Sequence, residues 1–390
     1  MDRRCFCAVA AWAFCTSAVW GASPGELIQQ IRQVGPKGEG HAAAKAAVKE
    51  LSQAGAATLP LMLQSFDGAS PLAANWLLGA FEAVADRSLQ AKELPAREFE
   101  IFAVNTKNHA GARRIAYEWL LKVDPTAADR LIPNMLLDPS AEFRRDAVAR
   151  KLTEAEALQT AGKKVEAVAA FRVALQGAVD DDQVKAIVKP LRELGAEVNL
   201  QQHFGFLPQW KLIGPFDNTD KKGFDVAYAP EAELNFSAKY AGKTAEVAWT
   251  DFETTDEYGV VDLAKALAPH KGAITYAATK YPSERAQQVE LRLGTPNAWK
   301  LWVNGELVFA RDEYHRGTQL DQYRVPVSLK AGANTILLKV CQNEQTEDWA
   351  QKWQYQLRVC DAAGAAVAPA KATTSQFRNS SSAPLIAEGR

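Results

Sequence analysis

The 390-residue sequence is short of the features that mark several protein classes. Its 45 Lys and Arg residues nearly balance its 46 Asp and Glu residues, for a net charge of −1, so it lacks the positive field of a general binder of nucleic acid or anionic membranes. The apolar run from Cys5 to Trp20 has about 16 residues, fewer than the roughly 20 that a transmembrane helix needs. Wholesale disorder is excluded because 47% of the residues are hydrophobic and 23% are charged, as in ordinary globular proteins.

Motifs for catalysis and metal binding are also scarce. The sequence has no glycine-rich phosphate loop and no dinucleotide-binding fingerprint. No histidine stands in a metal-ligand spacing with another histidine, a cysteine or a carboxylate; the histidines are His41, His109, His203, His270 and His315. We therefore predict a protein that is not an enzyme and has no cofactor, with His203 as a packing or hydrogen-bonding residue.

The N-terminus has the composition of an export signal. Arg3 and Arg4 precede the apolar run, and small residues with a proline follow it at Gly21 to Pro24. We predict a cleaved signal peptide over residues 1–22, a secreted or periplasmic protein, and no stable membrane span after cleavage. A short N-terminal anchor is the alternative.

Cysteine is rare beyond this signal. Of five cysteines, Cys341 and Cys360 remain after residue 22. In an oxidising compartment they are a candidate disulfide. The alternative, two unpaired small core residues on neighbouring strands, fits the sequence equally well.

The composition of the chain changes near residue 200. Residues 24–200 are rich in Ala, Leu, Glu, Lys and Arg, which favour helices. Residues 201–361 contain six of the ten tryptophans and short alternating apolar runs, punctuated by Gly, Pro and Asn, that predict strands. Small and polar residues dominate residues 362–390, which predicts a flexible tail. The predicted fold is multi-domain: an α-helical, solenoid-like repeat domain followed by an antiparallel β-sandwich of jelly-roll type.

The helical half contains a candidate repeat. The segment Leu59–Leu63, with proline second, returns as residues 132–136, and each copy precedes an Asp-containing turn and an amphipathic segment, 72–85 or 141–151. Helical solenoids have periods of this kind. The segments resemble HEAT-like repeats, which implies a protein partner on their extended surface. An irregular helical bundle without repeats is the alternative.

A second helical segment, residues 153–195, resembles a tetratricopeptide-like pair. Ala157, Ala167 and Phe171 are the kinds of residue that let two helices pack closely. The run Asp180 to Asp182 predicts a helix start, because carboxylates stabilise the first-turn amides.

The strongest local signal of the strand-rich half is a hairpin. Asn304-Gly305 is the preferred pair for a type I′ turn, because both positions need positive φ. A two-residue loop places Trp302 opposite Leu307 and Leu301 opposite Val308, so both faces of the hairpin are apolar. One face is expected in the sandwich core, with Phe309 and Trp302 on the other, which loops, the helical domain or a ligand must cover.

The order of strand motifs resembles the galactose-binding-like jelly roll of secreted bacterial proteins. The motifs are GPFDN, WVNGE, LKAGANTILLKV and WQYQLRV, within residues 204–361. The resemblance implies carbohydrate binding through loops at one end of the sandwich or through a sheet face. Relatives that serve only as spacers or partner contacts are the alternative.

Candidate ligand-binding residues lie in and after the hairpin. A sugar site needs an apolar ring face to stack on and polar groups for the hydroxyls. Aromatic Trp302 and Tyr314 supply the first, and the polar residues Arg311, Asp312, His315 and Arg316 supply the second. A solvated loop with a local ion pair is the alternative.

A weak candidate calcium site follows the first strand. Asp217, Asn218 and Asp220 offer the oxygen ligands that calcium prefers. A turn capped by its own side chains explains the same residues.

Together these features predict an exported, non-catalytic binding protein. The sandwich is expected to recognise carbohydrate, and the helical repeats are expected to bind a protein partner. The alternatives are a protein-interacting scaffold that binds no sugar, an accessory part of a glycan-degrading system, and a hydrolase.

Overall fold

Helices occupy residues 24–204 and antiparallel strands residues 209–360 of the computed structural model, which describes residues 22–370. This order confirms the predicted α-then-β layout. The chain divides into two compact units between Leu131 and Ile132, whereas the secondary structure changes near residue 205. Among the described residues, no helix is long and apolar enough to cross a membrane. The predicted signal falls, but for residue 22, outside the described residues.

The first unit is helical. Ser23 caps the first helix in a capping box with Glu26, and Ser70 followed by Pro71 begins the longest helix of this unit. In the core, the Phe81 ring lies 6.0 Å from Phe99 and 6.1 Å from Trp119. The helices are α1 (Pro24–Arg32), α2 (His41–Leu51), α3 (Leu59–Gln64), α4 (Pro71–Gln90), α5 (Ala96–Val104), α6 (Ala110–Leu121) and α7 (Ala127–Leu131), with 3₁₀ helices at Pro36–Gly38 and Ala56–Thr58.

The second unit begins with further helices. A helix begins after Asp180, with Asp181 and Asp182 in its first turn, as predicted, but the Asp180 side chain makes no capping hydrogen bond. Ala167 and Phe171 are buried as expected, but Ala157 is exposed. The helices are α8 (Ala141–Thr160), α9 (Lys164–Gly177), α10 (Asp181–Glu193) and α11 (Leu200–Phe204), after a 3₁₀ helix at Ile132–Met135. The candidate repeat copies thus differ in local structure, and the repeat type stays a prediction.

Two main antiparallel sheets and a separate two-stranded sheet, Lys239–Ala241 with Glu246–Ala248, follow in the second unit. Over residues 209–360, the larger sheet has the strand order β4-β1-β6-β11-β8-β9 and the smaller sheet β10-β7-β12-β5. The strands are β1 (Gln209–Asp217), β2 (Lys239–Ala241), β3 (Glu246–Ala248), β4 (Thr250–Glu253), β5 (Val261–Asp262), β6 (Ala273–Ser283), β7 (Gln287–Gly294), β8 (Ala298–Val303), β9 (Glu306–Arg311), β10 (Tyr323–Leu329), β11 (Gly332–Gln342) and β12 (Gln354–Cys360). Short helical turns are α12 (Ala229–Ala232), α13 (Leu263–Ala266) and 3₁₀ helices at Thr219–Phe224 and Asp348–Ala350.

The core lies between the two sheets. Val289, Leu291 and Leu293 of β7 point into it, as their alternation predicts, and pack with Trp299 and Trp353. Both tryptophans are fully buried. The two-sheet sandwich that the strand pattern predicts is therefore confirmed.

The β8–β9 hairpin has the predicted turn but not the whole predicted register. Asn304 and Gly305 both have positive φ, 53° and 85°, and Trp302 pairs with Leu307. A bulge then makes Leu301 pair with Phe309 instead of Val308. Phe309 consequently stacks on Trp299 on the core side, with ring centroids 4.7 Å apart, so its predicted place beside Trp302 is wrong.

Residues 218–249, here called the covering segment, pack on the outer face of the larger sheet. Phe224 and Val247 of this segment join Trp302 and Leu337 in one apolar cluster. Of the three covers that the sequence leaves open, which are loops, the helical domain or a ligand, the structure shows loops over Trp302.

The helices and the C-terminal residues pack against the sandwich within the second unit. The Arg358 guanidinium donates to the Phe204 carbonyl at 3.1 Å, and the Tyr258 hydroxyl donates to Asp181 at 2.8 Å. The Val367 amide donates to the carbonyl of Val359 at 3.1 Å. The ordered chain thus extends at least to residue 370, beyond the predicted start of the tail at residue 362, and residues 371–390 lie outside the described part.

Candidate ligand-binding site

Three loops meet at one end of the sandwich, here called the loop end. They are residues 295–297 between β7 and β8, residues 312–322 between β9 and β10, and residues 343–353 between β11 and β12. They meet because the strands that they follow are antiparallel and aligned in register, with Ala298 opposite Cys341 and Leu293 opposite Tyr323.

An exposed tryptophan marks the loop end. Trp349 is 61% exposed, and the His315 ring meets it edge-on with centroids 4.9 Å apart. One ring nitrogen of His315, Nε2, lies 3.1 Å from Asn343 Oδ1, and the His315 backbone amide donates to the Pro296 carbonyl at 2.6 Å. These bonds hold His315 at a positive φ of 60°, a left-handed conformation that is uncommon for non-glycine residues.

Four further predicted ligand residues lie beside this pair. Arg311 and Arg316 are exposed and flank Glu313, with nitrogen–oxygen distances of 3.7 and 2.9 Å. The hydrogen bond from Arg316 holds the pKa of Glu313 below its usual value. Asp312 is exposed, and Tyr314 is half-buried, with its hydroxyl accepting from Asn218 Nδ2 at 3.1 Å. Burial raises the pKa of Tyr314 above its usual value.

The remaining predicted ligand residue, Trp302, is not at the loop end. It lies on the outer face of the larger sheet near the opposite end, and it is only 7% exposed. Trp302 lines a separate cavity of about 270 Å³ together with Leu234 and Thr335. A ligand at the loop end could not contact it.

The candidate calcium ligands make other contacts. Asp217 Oδ1 accepts from the Thr219 hydroxyl at 2.7 Å, which lowers the pKa of Asp217. Asp220 pairs with Lys222 at 3.0 Å, and Asn218 donates to Tyr314. These contacts match the alternative of a turn capped by its own side chains. Within residues 22–370, no three His, Cys, Asp or Glu residues cluster as metal ligands would.

Cys341 and Cys360 are free and buried. Cys341 belongs to the cluster on the outer face of the larger sheet. Leu357 and Val359 of β12 point into the core. Cys360 stands one and three positions after them, and successive strand residues alternate between faces, so Cys360 points outward from the smaller sheet. The thiols therefore face opposite sides of the sandwich, and the candidate disulfide is not formed.

Trp349 and Asn343 are not among the residues that the sequence predicts as ligand-binding. Trp349 follows three acidic residues in a polar loop, Glu344, Glu347 and Asp348. A large aromatic side chain directly after acidic residues in such a loop is the signal that could have identified it. Asn343 carries no comparable signal, because its contact with His315 depends on the conformation of the loop at residues 312–322.

Comparison with known proteins adds little. No protein-family model and no curated protein matches the chain. Among solved structures it is similar to a β-glucosidase from Kluyveromyces marxianus in complex with glucose, at 11% identity over 39% of this chain and 16% of that chain, with a TM-score of 0.26. It is also similar to a GH31 α-xylosidase from Xanthomonas citri, at 14% identity over 40% of this chain and 18% of that chain, with a TM-score of 0.20. The chain thus spans less than a fifth of either enzyme, and at these TM-scores neither likeness supports a fold or an activity.

Proposed function

We propose that this protein is an exported, non-catalytic binding protein whose sandwich binds carbohydrate at the loop end. The observation that carries the proposal is the exposed ring of Trp349 beside His315. An indole face left in water offers apolar area for the C–H face of a sugar ring. Its edge-on contact with His315 orients the indole, so little side-chain entropy is lost on binding.

The polar groups around Trp349 suit hydroxyl groups. Gln345 carries an amide that both donates and accepts, and Arg316 donates in a fixed fork. Asn343 is buried and holds His315 and Gln345 in place through hydrogen bonds. Gln345 is partly exposed and Arg316 is exposed. The loop that carries Trp349 also carries Glu344, Glu347 and Asp348, which disfavours an anionic ligand. We therefore expect neutral sugars.

The charge states of the described carboxyl groups support a non-catalytic role. A general acid for glycoside hydrolysis needs a carboxyl group whose pKa is raised. Within residues 22–370, every carboxyl group with a displaced pKa is displaced downward; they are Glu26, Asp124, Asp182, Asp217, Glu313 and Asp321. These groups stay ionised at neutral pH and suit ion pairs better than proton donation.

A protein partner is the second part of the proposal, and one feature of the helical unit supports it. An open cavity of about 550 Å³ is lined by Ile101, Val104 and Leu120 of α5 and α6. Ile101 is 57% exposed and Val104 is 45% exposed. Adjacent exposed aliphatic residues beside a concavity are typical of protein-interaction surfaces.

Substitution of Trp349 tests the carbohydrate proposal. We expect Trp349→Ala to weaken binding to a neutral oligosaccharide found by glycan array by at least about tenfold, because the stacking surface is lost. Trp349→Phe should retain most of the affinity, and Val165→Ala, at a residue 80% exposed on α9, should retain all of it. Isothermal titration calorimetry measures each value.

Three outcomes would contradict the proposal. Failure of the folded protein to bind any glycan would favour the purely protein-interacting scaffold. Equal affinity of Trp349→Ala and the wild type would remove the loop end from the site. Release of shortened products from the bound oligosaccharide, followed by chromatography, would favour a hydrolase.

A further inference from the structure

A row of polar side chains crosses the outer face of the larger sheet at the end opposite the loop end. Gln209 of β1 pairs with Glu253 of β4, and Lys280 of β6 pairs with Thr335 of β11. Because Lys211 pairs with Ala278, Gln209 lies beside Lys280 on the same face. The four side chains therefore stand side by side on four adjacent strands, over about 14 Å at the usual strand spacing.

Two separate cavities lie along this row. One, of about 590 Å³, is lined by Gln209, Glu253 and Lys280, with Phe236 at its side. The other, of about 270 Å³, is lined by Thr335, with Leu234 at its side. Phe236 and Leu234 both belong to the covering segment, which forms one wall of each cavity and also contributes Glu231 and Glu233 at the smaller one. We call the row and this wall the furrow.

An apolar row lies next to the furrow on the same face of the same strands, two residues nearer the loop end. Ala278 pairs with Leu337, and Leu337 pairs with Trp302, and all three belong to the cluster under the covering segment. The face thus changes from apolar under the covering segment to polar and open one row further along. Gln209, Glu253 and Lys280 are exposed, and Thr335 is partly exposed.

The chemistry of the furrow fits hydroxyl groups better than charges or peptide groups. Glu253 accepts, Lys280 donates, and Gln209 and Thr335 do both. The other charged residues that line the two cavities are Lys211, Lys330, Asp251, Glu231 and Glu233. Lys211 pairs with Asp251, and Glu231 pairs with Lys339, so the positive and negative charges balance and leave no net charge to attract an ionic polymer. A peptide extends a sheet by pairing along a strand edge. The furrow runs across the strands, so a bound peptide would gain no ladder of backbone hydrogen bonds.

We propose that the furrow binds a linear, uncharged polysaccharide chain lying across β4, β1, β6 and β11. This is a second site, distinct from Trp349, and it rests on the proposed function only for the carbohydrate class of its ligand. A sugar chain would place one ring face on Phe236 and its hydroxyls on the polar row. Binding here should increase with chain length, because successive units reach successive strands.

The test compares chain lengths on the full protein. The probes are neutral gluco-, manno- and xylo-oligosaccharides of two to six units, with polygalacturonate as the charged polymer. We expect the best hexasaccharide to bind at least tenfold more tightly than its disaccharide. Gln209→Ala combined with Lys280→Ala should weaken hexasaccharide binding at least fivefold and leave disaccharide binding at Trp349 unchanged. Lys239→Ala, an exposed lysine outside both cavities, is the matched control.

The outcomes separate this proposal from the proposed function. Loss of all binding in Trp349→Ala, with no effect of the furrow variant, would overturn the furrow and leave the loop end standing. Binding of short and long chains with equal affinity would also overturn it, as would tighter binding of polygalacturonate or of an extended peptide. Because the substituted side chains are exposed, an unchanged melting temperature is expected to show that the variants fold.

Discussion

At the scale of single residues, Asp321 holds together two buried arginines. Arg292 and Arg358 lie directly opposite each other on β7 and β12 and are 4% and 1% exposed. Like charges in this position repel. Asp321 accepts from Arg292 at 2.7 Å and from Arg358 at 2.6 and 2.7 Å. The alternating pattern of both strands predicts these arginines on the outward face, but it cannot show that α11 and the C-terminal residues cover that face.

Removal of the Asp321 charge should destabilise the fold strongly. We expect Asp321→Asn to lower the free energy of unfolding by about 3–5 kcal/mol at pH 7, because two buried cations lose their shared partner. Asp182→Asn, which breaks the exposed pair with Arg145, should cost about 1 kcal/mol or less. Denaturant unfolding measures both, and equal losses for the two variants would contradict the account.

Comparison of the wild type with Asp321→Asn also tests the pH dependence of stability. Burial alone would raise the pKa of Asp321, but the hydrogen bonds and charges of Arg358 and Arg292 hold it below its usual value. The stabilisation is therefore complete above the unfolded-state pKa of about 3.9 and is lost as the pH falls below it. The difference in unfolding free energy between wild type and Asp321→Asn should shrink from pH 7 to pH 2.5.

At the scale of elements, the hairpin shows what a local pattern can predict. The pair Asn304-Gly305 specifies the turn by itself, because the two central positions of a type I′ turn need positive φ and Asn and Gly adopt it readily. The bulge that follows depends on Phe309 reaching Trp299 in the core, which is a contact between strands that no spacing within the hairpin encodes. The alternation within the hairpin likewise predicts that the face of Trp302 is apolar. It does not predict that residues 218–249 cover this face, because that depends on a segment distant in sequence.

The covering segment depends on a buried lysine. Lys339 of β11 is fully buried and donates to the carbonyls of Phe224 and Val226 at 3.0 and 2.8 Å and to Glu231 at 2.8 Å. The Tyr276 hydroxyl also donates to Glu231. Burial lowers the pKa of Lys339. Three acceptors on one ammonium group thus anchor the segment to the sheet.

Replacement of Lys339 should loosen this segment. We expect Lys339→Met to lower the hydrogen-exchange protection of residues 224–232 about tenfold or more, because Glu231 is left buried without its cation. Lys300→Met is the matched control: Lys300 lies directly opposite Lys339 on the same face, but its partner Asp225 is exposed. Mass spectrometry of exchanged peptides measures both, and equal loosening in the two variants would refute the anchor.

At the scale of the whole molecule, the sandwich belongs to one compact unit with helices that the composition change places in the helical half. Phe204 and Phe206 pack with α9 and α10 and with Tyr258 of the strand half, and Arg192 of α10 pairs with Glu257. The composition change near residue 200 therefore predicts the order of helices and strands but not the compact units. Such long-range packing follows from side-chain contacts that only the folded chain reveals. Part of the loop end was predictable, because Tyr314 and His315 lie in one polar loop with aromatic residues. Trp349 lies in a different loop and comes close to them only because the strands before both loops are aligned in the folded sheet.

Two fragments test this organisation. A fragment of residues 132–370 should unfold cooperatively, because it retains the contacts of Phe204 and Phe206. A fragment of residues 201–370 should melt at a lower temperature or aggregate, because those rings and Tyr258 lose their helical partners. Circular dichroism during heating distinguishes them, and identical melting of the two fragments would contradict the structural account.

The most direct test of the central claim follows the tryptophan indole signals by NMR while a neutral oligosaccharide is added to the full protein. The account predicts that the Trp349 indole signal and the His315 ring signals shift in proportion to occupancy, that the buried Trp299 and Trp353 signals stay unchanged, and that the sugar is recovered intact. Unmoved Trp349 and His315 signals at saturation, or cleavage of the sugar, would contradict it.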